Sequence, residues 1–184
     1  MKSMLMIISV CVLVFGCAAP AKSSAAAVPD STSGMALASA SFAAGESIPR
    51  RYTLYGENLT PDMSWDKAPE ATKSFALILR DPDAPGGSFV HWVAFNMPQD
   101  AKGLPEGLGR DSILPFGGMQ GTNSFQRVGY DGPKPPSGTH HYYFDLYALD
   151  GMLSLDRTAT ASRLQQAMKG HVLAHASLMG KYKK

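Results

Sequence analysis

The chain has 184 residues, 45% of them hydrophobic and 17% charged, and a formal net charge of +2. That length and apolar content suit one domain with a real core. Lys and Arg are scattered, so the basic footprint of a nucleic-acid-binding surface is missing, and Lys181, Lys183 and Lys184 read as a short solvated tail.

The first residues stand apart from the domain. Met1-Lys2 supplies a positive charge, and residues 4–16 form an apolar segment of signal-peptide length, too short to span a bilayer comfortably. The segment ends at Val14-Phe15-Gly16-Cys17. A small residue before Cys, after an apolar run, resembles the bacterial lipobox, in which the cysteine is acylated and becomes the new N-terminus; Phe15 departs from that pattern. The alternative is ordinary cleavage near Ala18-Ala19 or within Ala25-Ala26-Ala27. Either way, export is expected, as a cell-envelope lipoprotein or a periplasmic protein. Residues 18–34, rich in Ala, Ser, Pro and Thr, read as a flexible tether that would hold residues 35–184 near a membrane without inserting them. Cys11 and Cys17 are the two cysteines, so the domain is expected to have no disulfide, thiolate nucleophile or Cys-based zinc site.

In the domain, residues 37–42 alternate weakly and predict a first strand, and residues 48–55 predict another. Asn58-Leu59-Thr60-Pro61-Asp62-Met63-Ser64-Trp65 reads as a turn followed by an apolar anchor, with Trp65 packed at the core edge or forming a pocket wall. The apolar run Phe75-Ala76-Leu77-Ile78-Leu79 leads into Asp81-Pro82-Asp83-Ala84-Pro85-Gly86-Gly87, and Val93-Ala94-Phe95 leads out after His91-Trp92. Short apolar runs bounded by Pro and Gly predict buried strands. Two core strands therefore carry two carboxylates and one imidazole to the same end of a sheet. An Asp before Pro or Gly also bonds nearby backbone, so a turn-capping role for Asp81 or Asp83 stays open.

Residues 96–121 are dense in Gly and Pro and predict a long surface loop, of the kind that often carries function. Residues 129–138 predict a second, rigid loop, with cis or trans X-Pro bonds left open. Residues 139–149 predict a long strand. One face carries His140, Tyr142, Phe144, Leu146 and Ala148 and is assigned inward, with His140 and Tyr142 at the mouth of the core. His141, on the other face, is expected to be exposed. Thr160 is a fair N-cap for a helix over residues 161–169, which Gly170 stops. Residues 171–180 predict a last strand or short helix, with His171 and His175 structural or at the surface. Many strands, Gly/Pro loops and one late helix argue a mostly β sandwich with a small helical appendage.

The motif Asp81-Pro82-Asp83-Ala84-Pro85 followed by His91-Trp92, and later Gly138-Thr139-His140-His141-Tyr142-Tyr143-Phe144, resembles the phosphatidylethanolamine-binding protein family, which includes the Raf kinase inhibitor proteins, and its small bacterial members most closely. The segments from Asn58 to Trp65 and from Gly129 to Pro136 fit the same family, so the resemblance runs from about Ala36 to Tyr182. It implies two antiparallel sheets with a short C-terminal helical segment and a small anion pocket lined by Asp81, His91, His140 and Tyr142. Asp83 and Pro85 would shape that pocket, Trp92 would support it, and Gly138 would let the chain approach closely. In mammalian relatives a C-terminal helix gates the pocket; here little follows the last strand, which argues against gating and the kinase regulation tied to it.

Imidazole and phenol groups donate to phosphate, sulfate or acetate, and charge-assisted bonds of this kind are strong. A carboxylate beside them accepts from an ammonium or hydroxyl and should favour protonated His. That mixture suits a phosphate-bearing or zwitterionic ligand, such as a lipid head group. Non-enzymatic binding, without cofactor or metal, is therefore the expected function. The first competing function is a regulator of other proteins, such as a protease or kinase-pathway inhibitor, using residues 103–121 as its contact surface. The second is an enzyme that uses the Asp and His residues as acid and base or as metal ligands. Ser88 lacks the Gly-X-Ser-X-Gly setting of a nucleophile. The resemblance leaves a homodimer open.

Overall fold

The computed structural model describes residues 34–184. The signal segment, Cys17 and nearly all of the tether lie outside the described residues.

The strands are β1 (Ala36–Ala38), β2 (Met63–Asp66), β3 (Ser74–Asp81), β4 (Phe89–Pro98), β5 (Gly103–Leu104), β6 (Met119–Gln120), β7 (Thr139–Leu149) and β8 (Val172–Lys183), with one helix, α1 (Ala161–Ala167). They form two antiparallel sheets, a small one in the order β1-β2-β5 and a large one in the order β6-β4-β3-β7-β8. The mostly β, two-sheet architecture with a short helical segment is as the sequence led us to expect.

The apolar run in β3 is buried on both faces because the large sheet is covered twice. On its inner face Leu77, Leu79, Trp92, Phe144 and Leu146 meet Leu37, Met63 and Trp65 of the small sheet. On its outer face Ile78, Val93, Phe95, Tyr147 and Leu149 lie under Leu153, Ala159, Leu164 and Met168, brought by α1 and the segment before it. The second face of β7 is thus buried at its far end as well, while His141 at its start remains partly exposed. Trp65 is buried against Phe75, ring centroids 5.2 Å apart. Thr160 caps α1, its side chain accepting from Arg163 N at 3.4 Å.

Some expected elements differ. Residues 48–55 do not form a strand; Arg50–Tyr52 is a 3-10 turn. Pro49 sits at φ −59° and its carbonyl accepts from Tyr52 N at 3.0 Å, while Thr53 N and Oγ1 both donate to Arg50 O. Proline supplies the φ that starts such a turn and removes a donor that a strand would need. The first strand ends at Ala38, because Ser39, Ala40 and Ser41 all bond the Asp62 carboxylate. Ser39 Oγ also accepts the Ser41 N–H at 3.0 Å, a local side-chain bond of the kind that competes with a sheet ladder. The Gly/Pro-rich loop holds two short strands, β5 and β6, and every peptide bond among the described residues is trans. Residues 172–183 resolve as the long strand β8 rather than a helix.

Candidate functional site

One register irregularity sets up the site. Arg80 pairs with Val90 but the next pair is Leu79 with Trp92, so β4 carries one extra residue, His91, opposite β3. A bulge of this kind re-aims a side chain and breaks the alternation of the strand. Here it lets Phe89, His91 and Trp92 all serve the inner side: His91 is 3% exposed, and its ring lies edge-on to Tyr142 of β7, centroids 5.3 Å apart at 82°. Asp81 ends β3, and His140 and Tyr142 alternate onto the same face at the start of β7.

The structure brings these four residues together. His140 Nδ1 donates to Asp81 Oδ2 at 2.7 Å, both groups buried. The other Asp81 oxygen accepts the Asp83 backbone N–H at 2.9 Å, so Asp81 also caps its turn. His91 Nδ1 lies 2.7 Å from the Asp131 carbonyl oxygen. A carbonyl only accepts, so Nδ1 carries the proton and Nε2 is left with a lone pair whenever the ring is neutral. Burial lowers the His91 pKa, outweighing the opposite pull of the Asp131 carbonyl and the Asp81 carboxylate. The expected bias towards protonated imidazole is therefore reversed at His91. For Tyr142, burial first and the Asp81 charge second push the phenol far above its ordinary range. Its hydroxyl is buried and meets no partner in good hydrogen-bond geometry, although the Asp81 carboxylate and the Lys134 backbone lie near enough to act on it.

The remaining expected residues play other parts. Asp83 is exposed, and its carboxylate accepts the His141 backbone N–H at 2.8 Å and His141 Nδ1 at 2.7 Å. Those bonds lower the Asp83 pKa. Its side chain is thus tied to the opposite face of β7, and only its backbone reaches the group of four. Pro85 is exposed in the same turn, followed by Gly86 and Gly87 at φ +95° and +110°. Trp92 is fully buried, donates from Nε1 to Gln120 Oε1 at 2.7 Å, and meets Tyr130 edge-on at 5.7 Å. Gly138 is needed for a different reason from the expected one: nothing lies within 4 Å of where its Cβ would stand, but φ is +67°. It permits a left-handed turn into β7 rather than a close approach.

Sequence reasoning missed the residue that holds His91 in place. Asp131 is completely buried; its N–H donates to His91 O at 3.0 Å and its carbonyl accepts from the imidazole. Its carboxylate takes Arg110, Arg127 at 3.0 Å, Asn123 Nδ2 at 2.8 Å and Asn58 Nδ2 at 3.4 Å. The signal was an acidic residue inside the run Gly129-Tyr130-Asp131-Gly132: a Cβ on Gly132 would come within 2.1 Å of the Tyr52 carbonyl oxygen, so this loop sits tightly against its neighbour. Also missed was an aromatic rim. Phe89 and Phe125 meet edge-on at 4.8 Å and both touch the His91 ring, and Arg127 lies over Phe125 at 5.2 Å. Two surface concavities, one at Leu108, Leu114 and Gln120 and one beside α1 at Leu155, Arg163 and Gln166, are lined by none of the four central residues. Among the described residues no three His, Cys, Asp or Glu side chains cluster as metal ligands would.

Comparison with known proteins agrees with the fold and the motifs. The family described as phosphatidylethanolamine-binding protein matches residues 38–183. A UPF0098 protein of Methanothermobacter thermautotrophicus is 50% identical over 137 residues, covering 74% of this chain and 91% of that protein. The crystal structure of a phosphatidylethanolamine-binding protein homologue from Chlamydia trachomatis superposes with a TM-score of 0.76 at 37% identity, covering 83% of this chain and 99% of its own. E. coli YbcL, described as a new member of the mammalian PEBP family, gives a TM-score of 0.77 at 31% identity, covering 82% and 98%. The chain belongs to the phosphatidylethanolamine-binding protein family.

Proposed function

We propose that the domain binds, without catalysis, a phosphate-bearing or zwitterionic small ligand at Asp81, His91, His140 and Tyr142. The observation that carries this reading is the buried Tyr142 hydroxyl without a partner, beside the buried Asp81–His140 pair. Folded proteins rarely leave a buried hydroxyl unbonded, and such a group is destabilising unless something completes it. A ligand oxygen is a fitting acceptor. The mixed donor and acceptor character of the four groups suits a head group with both signs of charge. Isothermal titration with O-phosphoethanolamine tests the reading. Saturable binding that weakens at least about tenfold in His91→Ala supports it, and affinity unchanged by that substitution removes the four residues from the site.

A second reading, regulation of another protein through residues 103–121, has one observation in its favour: Ile113 on that loop is 67% exposed. Loss of inhibition in a protease panel on Ile113→Ser would favour it. Export and acylation at Cys17 complete the proposal and would place the domain beside a membrane; intact mass of the purified protein, read for a lipid-modified N-terminus, checks them.

A further inference from the structure

The loop over residues 103–121 reaches the central group through one side chain. Arg110 Nη1 donates to Val128 O at 3.0 Å, and Arg110 Nη2 donates to Tyr130 O at 2.7 Å and to the Asp131 carboxylate. One guanidinium thus ties three points of the segment 128–131, as a planar fork of several donors can. Asp131 in turn grips His91 twice, its N–H donating to His91 O at 3.0 Å and its carbonyl accepting from Nδ1 at 2.7 Å. The base of Arg110 is fixed as well. Gln120, 1% exposed, donates from Nε2 to Gly109 O and to Asp111 O, each at 2.8 Å, and its Oε1 accepts from Nε1 of Trp92, the residue after His91. Gly129 packs closely on Arg110: a Cβ there would stand 3.4 Å from Arg110 Cα. The backbone and the guanidinium of Arg110 are therefore both anchored beside His91, although the side chain is 41% exposed.

A guanidinium that only neutralised Asp131 would not need those carbonyl bonds. Arg127 meets the same carboxylate oxygen at 3.0 Å and bonds no backbone carbonyl among the described residues, and Asn123 and Asn58 complete the carboxylate. What Arg110 adds is the shape of the segment that carries the Asp131 carbonyl. The bond to that carbonyl decides which ring nitrogen of His91 holds the proton and how the ring is turned. From this chain of contacts we infer that Arg110 is a positioning residue for the central group: acting through Asp131, it holds His91 as the Nδ1–H tautomer, with Nε2 the ring nitrogen left to a ligand. This rests on the ligand-site reading given under Proposed function. Supporting groups of this kind set how well a site works without touching its ligand.

The test compares the full chain with Arg110→Ala and Arg110→Lys at neutral pH, by imidazole 15N resonances without ligand and by calorimetry with O-phosphoethanolamine. Lysine keeps the positive charge beside Asp131 but has no planar fork to span three acceptors. The parent is expected to show His91 protonated at Nδ1 and bare at Nε2. Both variants should show the Nε2–H form as well, and their affinity should fall by about threefold to thirtyfold, while Arg110→Lys melts close to the parent. The lysine variant decides the matter if Arg110→Ala does not fold. The parent tautomer retained in Arg110→Lys overturns the inference, and so does parent affinity in a variant whose tautomer has changed. A lowered melting temperature with both readouts unchanged marks a purely structural arginine and overturns it too. A parent chain that does not bind O-phosphoethanolamine overturns the ligand-site reading and this role with it, whereas binding by the parent and by both variants alike overturns the role of Arg110 alone.

Discussion

Strand β7 carries two polar groups, one on each face, and the two faces solve the same problem differently. On the outer face Asp145 is nearly buried and accepts Arg80 Nε at 2.7 Å and His175 Nε2 at 3.2 Å. The His175 ring stacks on Tyr147 at 4.8 Å and Arg80 lies over Tyr143 at 4.7 Å. Burial alone would raise the Asp145 pKa, but the bonds from His175, Ser177 and Arg80 win and lower it. On the inner face the Asp81–His140 pair is shorter than Asp145–His175, 2.7 against 3.2 Å, yet beside it stand a hydroxyl with no well-formed hydrogen bond and an imidazole kept neutral. An Asp–His pair is therefore no mark of a site. What separates the faces is the incomplete bonding of one of them.

Breaking each face separately should give opposite results. The largest effect is expected from Asp145→Ala, which strands Arg80 and His175 at a cost of about 2–4 kcal/mol, reduced from the fully buried case because Arg80 is partly solvated. Urea denaturation reads this loss, and phosphate affinity should stay unchanged; a large fall in affinity would merge the two faces into one functional unit. Tyr142→Phe should do the reverse. Removing an unpaired buried hydroxyl is expected to leave stability equal or raise it by up to about 1 kcal/mol, while ligand affinity falls. Marked destabilisation in that variant would show that the hydroxyl is bonded within the protein.

Acid titration sharpens the contrast further. The folded pKa of His91 lies below its ordinary 6.5, so the unfolded chain binds the proton more readily. Its contribution to stability is present above about 6.5 and is lost as pH falls through the lower folded value. Asp145 is also depressed, from 3.8, so its contribution survives that range and disappears only at more acid pH. Stability measured from pH 7 to pH 2 should fall in two stages, and His91→Phe should flatten the first alone. The smallest effect is expected from His141→Ala. The exposed Asp83–His141 pair contributes little, so melting temperature and phosphate affinity should both stay near those of the parent. A strong affinity loss would return Asp83 to the site proper.

The sequence showed the central group because strand alternation and turn chemistry are local. The acidic turn after a buried run, and His140 and Tyr142 two apart on β7, put three of the four residues within reach by period, and the resemblance to the family joined them into a site. It could not show why His91 joins them, since the extra residue in β4 is defined only by its pairing to β3. Asp131 was hidden for a related reason: its partners Asn58, Arg110, Asn123 and Arg127 come from three separate loops, and no local pattern links them. Asp83 was grouped with Asp81 by nearness in sequence, but the turn between them sends its carboxylate to the other side of β7. The strand expected at residues 48–55 failed because its apolar and aromatic content outweighed, in the reading, the single proline that decides its backbone.

The additional residue in β4 makes the two halves of that strand run out of phase. Phe89 and Trp92, three apart in number, can both serve the inner side because the bulge absorbs His91. Excising position 91 would remove this shift and leave only the one between Phe75 and Leu77, and the shortened chain is expected to melt no lower than His91→Ala while binding no phosphate. His91 is thus an interruption that the scaffold tolerates, so selection for thermal robustness alone would tend to erase it.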